Sequence, residues 1–117
     1  MAYVDGFIVP VPKANLDAYK QMARIAGDVW MEYGALSYVE CIGDDIPYGE
    51  VTSFPRSVQA TEEETVIFSW ITYENRASRD EILAKVMADP RLAGENWKQV
   101  FDGKRMIYGG FEAFLTL

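Results

Sequence analysis

The sequence contains no histidine and only one cysteine, Cys41. Histidine is the commonest metal ligand and the side chain that most often transfers protons near neutral pH, so its absence argues against a metal centre, a bound haem and ordinary acid–base catalysis. One cysteine cannot close a disulfide within the chain, and we expect Cys41 to be a small buried strand residue rather than a nucleophile. The sequence therefore predicts no metal and no cofactor.

Long apolar runs are also missing. No segment approaches the ~20 consecutive apolar residues that a membrane-spanning helix requires. The first ten residues, MAYVDGFIVP, lack the basic and apolar regions of a secretory leader. We therefore expect a cytoplasmic protein without a membrane partner.

Positive charge is scarce. The chain has 11 Lys and Arg residues against 18 Asp and Glu residues, which gives a formal net charge of −7. The densest basic pair is Lys104 with Arg105, whereas nucleic-acid binding requires clustered cations that neutralise phosphates. The sequence predicts no nucleic-acid partner, and the net charge mainly favours solubility.

Apolar and aromatic residues, by contrast, are plentiful. Half of the 117 residues are apolar and 14% are aromatic. This length suits one compact domain, residues 1–117, that buries roughly two thirds of its unfolded surface. The aromatic content predicts that some apolar surface is buried against a second subunit.

Periodicity predicts four strands and two helices. Alternating apolar residues predict strands at residues 3–12, 35–42, 65–73 and 105–116. Helical spacing predicts a first helix between a cap at Asn15 and a stop at Gly34. A second helix is capped by Asn75 or Ser78 and ends before Pro90.

The resulting order, β-α-β-β-α-β, predicts an α+β fold of the ferredoxin-like type. In this arrangement a four-stranded antiparallel sheet carries both helices on one face. The other face of the sheet is then left without cover from the same chain.

The connection between the second and third strands is long for a compact domain. It spans residues 43–64. Two interpretations stay open: an extra strand or hairpin extension near residues 57–60, or a functional flap.

Several segments together resemble the YbaA-like family of uncharacterised bacterial proteins. They span nearly the whole chain: YVDGFIVPVP, GALSYVECIGDD, VTSFPRSV, FSWITY, MADPRL and FDGKRMIYGGF. The last, residues 101–111, is the most distinctive. The resemblance implies a member of the dimeric α+β barrel superfamily, in which two ferredoxin-like subunits pack their open sheet faces together as a homodimer. It implies no settled activity, although a pocket between sheet and helices would be a reasonable place for a small ligand.

Two acidic residues lie on the same strand faces as aromatic residues. They are Asp5 in the first strand and Glu40 in the second. With the third strand between these two, spacings of ~4.8 Å per strand place the carboxylates roughly 10 Å apart, too far to share a proton. Each is expected either to make hydrogen bonds or an interface contact, or to act as a base in an apolar cavity.

Two short segments contain arginine beside proline. In SFPRS, residues 53–57, Arg56 could anchor an anionic ligand or pair with an acidic neighbour in a structural turn. In DPRL, residues 89–92, the pattern favours a helix stop with Arg91 paired to a nearby acid.

The aromatic stretch WMEYGALSYVE, residues 30–40, indicates either core packing around a turn or the wall of a pocket. We predict a homodimer of unknown biochemical activity that binds a small organic ligand. One alternative is a cofactor-free oxygenase or isomerase acting on a small aromatic or enolisable compound, with Glu40 or Asp5 as its base. Another is a non-catalytic binding or regulatory module. The candidate ligand-binding residues are Trp30, Tyr33, Tyr38, Glu40, Arg56, Trp70 and Tyr108.

Overall fold

The computed structural model describes residues 2–117. Its strands are β1 (Tyr3–Pro12), β2 (Ser37–Ile42), β3 (Glu64–Tyr73) and β4 (Ile107–Glu112), and its helices are α1 (Leu16–Glu32), α2 (Phe54–Ser57) and α3 (Arg76–Met87). The strands form one antiparallel sheet in the order β2-β3-β1-β4. The predicted α+β fold with a four-stranded antiparallel sheet is confirmed. None of the helices within residues 2–117 is both long and apolar enough to cross a bilayer.

β1 is a central strand that contains two prolines. The backbone N–H of Lys13 donates to the carbonyl oxygen of Glu63 at 2.9 Å, so the odd-numbered residues of β1 direct their backbone groups toward β3. Pro10 and Pro12 therefore face the β4 side, where pairing with β4 stops at Ile8. Because no ladder partner lies there, the missing N–H groups cost the sheet no hydrogen bond.

Of the two predicted ends of α1, the stop at Gly34 is confirmed and the side-chain cap at Asn15 is not. Asn15 precedes the helix, but its side chain makes no capping hydrogen bond. Its Nδ2 donates instead to the carbonyl oxygen of Val100 at 2.9 Å, which ties the start of α1 to the segment before β4. At the other end, Gly34 has φ of +110°, the left-handed conformation that a glycine helix stop uses.

The structure shows which of the two predicted residues caps α3. The Oδ1 of Asn75 accepts from the backbone N–H of Ser78 at 2.8 Å. Asn75 is therefore the cap, and Ser78 lies inside the first turn.

Two apolar clusters fill the space between the sheet and the helices. One joins α1 and α3 to β3 and consists of Val29, Trp30, Ala35, Ile71, Tyr73, Ile82 and Val86. The other, at the opposite end of the sheet, consists of Val9, Val11, Tyr19 and Ile67. Their strand residues all belong to one face of the sheet, so both long helices cover the same face.

The connection between β2 and β3 does not contain the extra strand. In the segment 43–63, all of which is described, the expected strand near residues 57–60 is wrong, and α2 forms immediately before it. The hydroxyl of Ser53 accepts from the N–H of Arg56 at 3.1 Å and starts this single turn. Phe54 packs edge to face on Phe68 with ring centroids 5.8 Å apart, so α2 lies on the face of the sheet opposite α1 and α3.

That opposite face of the sheet, here called the open face, is almost free of charge. Its strand residues are Val4, Gly6, Ile8, Pro10, Pro12, Ser37, Val39, Cys41, Glu64, Val66, Phe68, Trp70, Thr72, Ile107, Gly109 and Phe111. Glu64 is the one charged residue in this set, and Arg105 forms a salt bridge with it. A solvated antiparallel sheet face normally alternates to polar residues, so this composition is typical of a face that is covered.

Candidate functional site

A groove of about 500 Å³ runs between α1 and the edge strand β2. Its walls come from the side of α1 that faces β2 and from the helix-facing residues of β2. The lining residues are Leu16, Tyr19, Lys20, Ala23, Arg24, Gly27, Asp28, Met31, Tyr38, Glu40, Cys41, Ile42 and Ile67. The groove is mainly apolar. Its charged residues are Lys20, Arg24, Asp28 and Glu40, of which Glu40 is half-buried and the other three are exposed.

Glu40 is held by two phenols. The hydroxyl of Tyr19, on α1, donates to Oε1 of Glu40 at 2.7 Å, and the hydroxyl of Tyr38, two residues earlier in β2, donates to Oε2 at 2.7 Å. No ion pair involves Glu40 within residues 2–117. A carboxylate oxygen offers two lone pairs, so each oxygen can accept one further hydrogen bond from a molecule in the groove.

The two phenols stay protonated over the physiological range. Burial is the largest cause, and the charge and hydrogen bond of Glu40 add to it, so that the pKa of both Tyr19 and Tyr38 lies well above the usual value of a phenol. Both hydroxyls therefore act as donors to Glu40, and neither serves as a nucleophile or a base.

The shape of the groove depends on Gly27. A Cβ at this position of α1 would lie 3.0 Å from the ring of Tyr38. The Tyr38 ring also packs against Trp30, which is buried in the core, and the two ring centroids are 6.0 Å apart. The glycine in the middle of α1 thus lets the Tyr38 ring approach the helix, and it fixes where the hydroxyl points.

Asp5 belongs to a separate buried cluster. It is 6% exposed, and its carboxylate accepts from Nε of Arg79 at 3.0 and 3.1 Å and from the hydroxyl of Tyr73 at 2.9 Å. Trp30 in turn donates to the Tyr73 oxygen at 3.0 Å. These partners come from α1, β3 and α3, so the cluster locks the helices onto the sheet. A carboxylate paired with a guanidinium in this way is not positioned as a base.

Tyr33 and the DPRL segment form a third cluster at the end of α1. The Tyr33 hydroxyl donates to Asp89 at 2.8 Å, and Arg91 contacts both Asp89, at 2.9 Å, and Glu32, at 2.6 Å. The Arg91 guanidinium, with help from the Arg91 backbone and Tyr33, holds the pKa of the Asp89 carboxyl well below its usual range. The expected helix stop with a paired Arg91 is confirmed, and Tyr33 lies away from the groove.

Arg56 is engaged inside the connection between β2 and β3. Its Nε donates to the carbonyl oxygen of Tyr48 at 2.9 Å and its Nη2 to that of Gly49 at 3.0 Å. The guanidinium carbon lies 3.8 Å above the centroid of the Tyr48 ring. Arg56 therefore organises this loop, and it does not reach the groove.

The other candidates lie on different surfaces. Trp70 is on the open face beside Phe68, with ring centroids 5.6 Å apart, and Tyr108 is 71% exposed on β4. Of the seven residues predicted from the sequence, Tyr38 and Glu40 line the groove, and Trp30 packs against Tyr38 from the core.

Cys41 differs from its expected place. It is exposed, because β2 is an edge strand and the residue points to the open face. Besides the groove, it lines a second hollow of about 270 Å³ between the β2–β3 edge and the loop that carries α2.

Sequence reasoning missed two residues that matter here, Tyr19 and Arg79. Tyr19 had a signal, since a tyrosine on the buried stripe of a helix needs an acceptor for its hydroxyl, and Glu40 on a half-buried strand needs donors. Arg79 had none, because its partner Asp5 lies 74 residues away in the chain.

Comparison with known proteins gives a clear sequence family. A family model described as "Protein of unknown function (DUF1428)" matches residues 2–103. The chain is 50% identical over 115 residues to the uncharacterized protein YbaA of Escherichia coli K12 and of Shigella flexneri, which covers 98% of this chain and of each relative.

Among solved structures, an amidase of the hydantoinase/carbamoylase family from Burkholderia phymatum is similar over 97% of this chain. The TM-score is 0.45 and the sequence identity 11%, and the chain spans 28% of the amidase chain. Similarity at this level supports no inference about function.

Proposed function

Because the chain belongs to the family described as protein of unknown function (DUF1428), a description that assigns no activity, we propose a function from the geometry of the groove. The protein binds a small organic molecule between α1 and β2. The molecule has an apolar body and a hydrogen-bond donor, best a primary ammonium group, which meets Glu40.

The observation that carries this proposal is the Tyr19–Glu40–Tyr38 arrangement. Two neutral donors orient the carboxylate at 2.7 Å without neutralising its charge. An ammonium group has three donors and one positive charge, so it satisfies the remaining lone pairs and the charge together. Apolar side chains of the groove, such as Leu16 and Ile67, would cover the rest of the ligand.

The same arrangement favours binding over catalysis by Glu40. A carboxylate that accepted a proton from a substrate would lose its negative charge, and the two short hydrogen bonds from Tyr19 and Tyr38 would lose the strength that this charge gives them. Asp5, the other base considered, is occupied by Arg79. An oxygenase or isomerase therefore remains the second candidate, and a purely protein-binding module the third.

For the assembly, we propose ferredoxin-like subunits that pair through their open faces as a dimeric α+β barrel. The sheet order, with β1 and β3 in the centre, and the location of α1 and α3 on one face support the subunit architecture. The uncharged open face supports the pairing, because two copies with a net charge of −7 can approach there without opposing charged side chains.

The exposed apolar surface is large enough for such an interface. Phe54, Phe68, Phe111 and Phe114 are 45%, 40%, 65% and 89% exposed. At about 200 Å² for a whole aromatic side chain these fractions correspond to roughly 500 Å², to which exposed Ile and Leu side chains add. A standard interface buries about 800 Å² on each partner.

The ligand proposal is tested with three probes that share one apolar body: benzylamine, benzyl alcohol and benzoate. We expect benzylamine to bind with the highest affinity and benzoate with the lowest, as followed by NMR titration of groove resonances. Glu40→Gln keeps the shape of the side chain and removes its charge, so it should weaken benzylamine binding by about tenfold or more.

Asp28→Asn is the matched control, because Asp28 lines the rim of the same groove and is already paired with Arg24. It should leave benzylamine affinity within about twofold. Equal affinities of the wild type and Glu40→Gln for all three probes would refute the assigned role of Glu40.

A further inference from the structure

Within residues 2–117, two apolar features have no large apolar partner. The first is the segment 113–117, AFLTL, which follows β4 and whose Phe114, Leu115 and Leu117 are largely exposed. The second is the hollow of about 270 Å³ beside α2, whose apolar walls include Ile46, Phe54 and Phe68.

The segment cannot fill the hollow of its own subunit. It leaves the sheet where Glu112 pairs with Tyr3, whereas the hollow lies beside Val66, which pairs with Pro10. Seven residues along β1 and two strand spacings separate these places, a distance of about 25 Å. Five extended residues reach at most ~18 Å.

We propose that the segment 113–117 of each subunit inserts into the hollow of a second copy. This inference rests on the homodimer proposed above, and it adds which part of one chain completes the other. The hollow opens directly onto the open face, because Phe68 belongs to both. Contact between the open faces therefore continues into the hollow without a gap.

Twofold symmetry makes the exchange reciprocal. The segment and the hollow occupy diagonally opposite corners of the sheet, at the β4 edge near Tyr3 and at the β2 edge near Pro10. When two sheets pack face to face with crossed strands, a twofold axis that lies between the sheets and perpendicular to the line joining these two corners places each corner over the opposite corner of the partner. Both segments then meet both hollows in one closed contact.

The chemistry of the two features matches. Phe114, Leu115 and Leu117 supply apolar side chains, and the segment contains no charge. The hollow presents phenylalanine and aliphatic side chains with almost no polar surface. Burying the segment removes from water the most exposed large apolar side chains at this end of the chain.

The native Cys41 lines the hollow and provides the test. Thr116→Cys places a second thiol in the segment and leaves its three large apolar side chains intact. Under mild oxidation we expect this variant to form a disulfide-linked dimer between Cys41 of one chain and position 116 of the other, in at least fivefold greater yield than the wild type. The product is read from non-reducing gels, and the linked peptides from mass spectrometry.

Two further variants make the result specific. Cys41→Ser combined with Thr116→Cys should abolish the cross-link, and Met87→Cys, an exposed position on α3, should not form one with Cys41. A protein that is a dimer by light scattering but gives no Cys41 to position 116 link refutes the inference and leaves the homodimer standing. A protein that is a monomer refutes both.

Discussion

Four acidic side chains that are buried or half-buried are each held by a different set of donors. Asp5, Glu64 and Asp89 each have an arginine among their partners. Glu40 has only the phenols of Tyr19 and Tyr38. At the residue scale, three of these charges are already paired with an arginine of the same chain, whereas Glu40, in the groove, is not. This difference is the basis of the ligand proposal.

Glu64 gives a pH-dependent prediction. Arg105 binds it in bidentate fashion, with N–O distances of 2.9 and 2.6 Å, and lowers the pKa of the carboxyl from 4.5 to about 2. A pKa that is lower in the folded state adds stability above the unfolded value and loses it as the pH falls toward 2. We expect Glu64→Gln to lower the free energy of unfolding by about 2–3 kcal/mol at pH 7.

The measurement is urea unfolding of the wild type and Glu64→Gln at pH 7 and at pH 2.5. The difference between the two proteins should shrink by more than half at the lower pH, because pH 2.5 lies far below the pKa of the carboxyl in the unfolded chain and close to its lowered pKa in the folded protein. Glu62→Gln, at an exposed position in the preceding turn, should stay within about 0.5 kcal/mol of the wild type at both pH values. A pH-independent difference for Glu64→Gln would contradict the assignment.

At the scale of elements, β4 is shaped by a close contact at one of its two adjacent glycines. A Cβ at Gly110 would lie 2.5 Å from Nη2 of Arg79 and would also overlap the hydroxyl of Tyr3. At Gly109 the nearest atom would be 3.8 Å away, on Phe111. The two adjacent glycines therefore differ, because side chains fill the space for a Cβ at Gly110 but leave it free at Gly109.

Gly110→Ala should therefore lower the free energy of unfolding by about 1–3 kcal/mol, because Arg79 must move away from Asp5 to admit the methyl group. Gly109→Ala reduces the conformational entropy of the unfolded chain in the same way but causes no overlap. It should therefore leave the free energy of unfolding unchanged or raise it slightly. Urea denaturation of the two variants checks this. Equal stabilities would show that the Tyr3 and Arg79 side chains adjust freely.

Helices and strands could be predicted where a local sequence pattern is sufficient to determine them. The alternating, β-branched stretch at 65–73 predicts β3 to within one residue, and Gly34 marks the end of α1. The last strand was predicted too long, at 105–116 against Ile107–Glu112. Its apolar pattern continues beyond Glu112, whereas the ladder with β1 ends at the Tyr3–Glu112 pair, followed by a hydrogen bond from the N–H of Ala113 to the carbonyl oxygen of Ala2 at 3.0 Å. Pattern alone does not report where a ladder ends.

Only part of the candidate site could be predicted from the sequence, because its residues come from two different elements, α1 and β2. Tyr38 and Glu40 share a strand face by the two-residue period, which the sequence shows directly. The pairing of Glu40 with Tyr19 depends on how α1 crosses the sheet.

The short helix α2 was not predicted, although the sequence contains signals for it. Ser53 is a capping residue and Pro55 follows as an early helical proline, but the length of the connection favoured an extra strand or a flap.

At the scale of the whole molecule, charge is distributed unevenly. The net charge is −7, yet the open face carries one acidic residue, which Arg105 neutralises. In the proposed dimer, the charged residues lie on the remaining surfaces, and the open faces can meet without opposing charged side chains. The proposed ligand groove lies on the opposite side of the sheet, between α1 and β2, so ligand binding and dimerisation do not compete for the same surface.

The dimer is tested by a charge placed on either face of β4. Phe111 points to the open face and is 65% exposed, whereas Tyr108, three residues earlier, points to the helix side and is 71% exposed. In a lone subunit, Phe111→Glu and Tyr108→Glu would both place a charge in water and would both be tolerated. In the proposed dimer, Phe111→Glu buries an unpaired charge from each subunit, which costs about 3–5 kcal/mol and weakens association by roughly 10²–10⁴-fold. Sedimentation at micromolar concentration should therefore show a dimer for the wild type and for Tyr108→Glu and a folded monomer for Phe111→Glu, whereas a dimeric Phe111→Glu would place the interface on another surface.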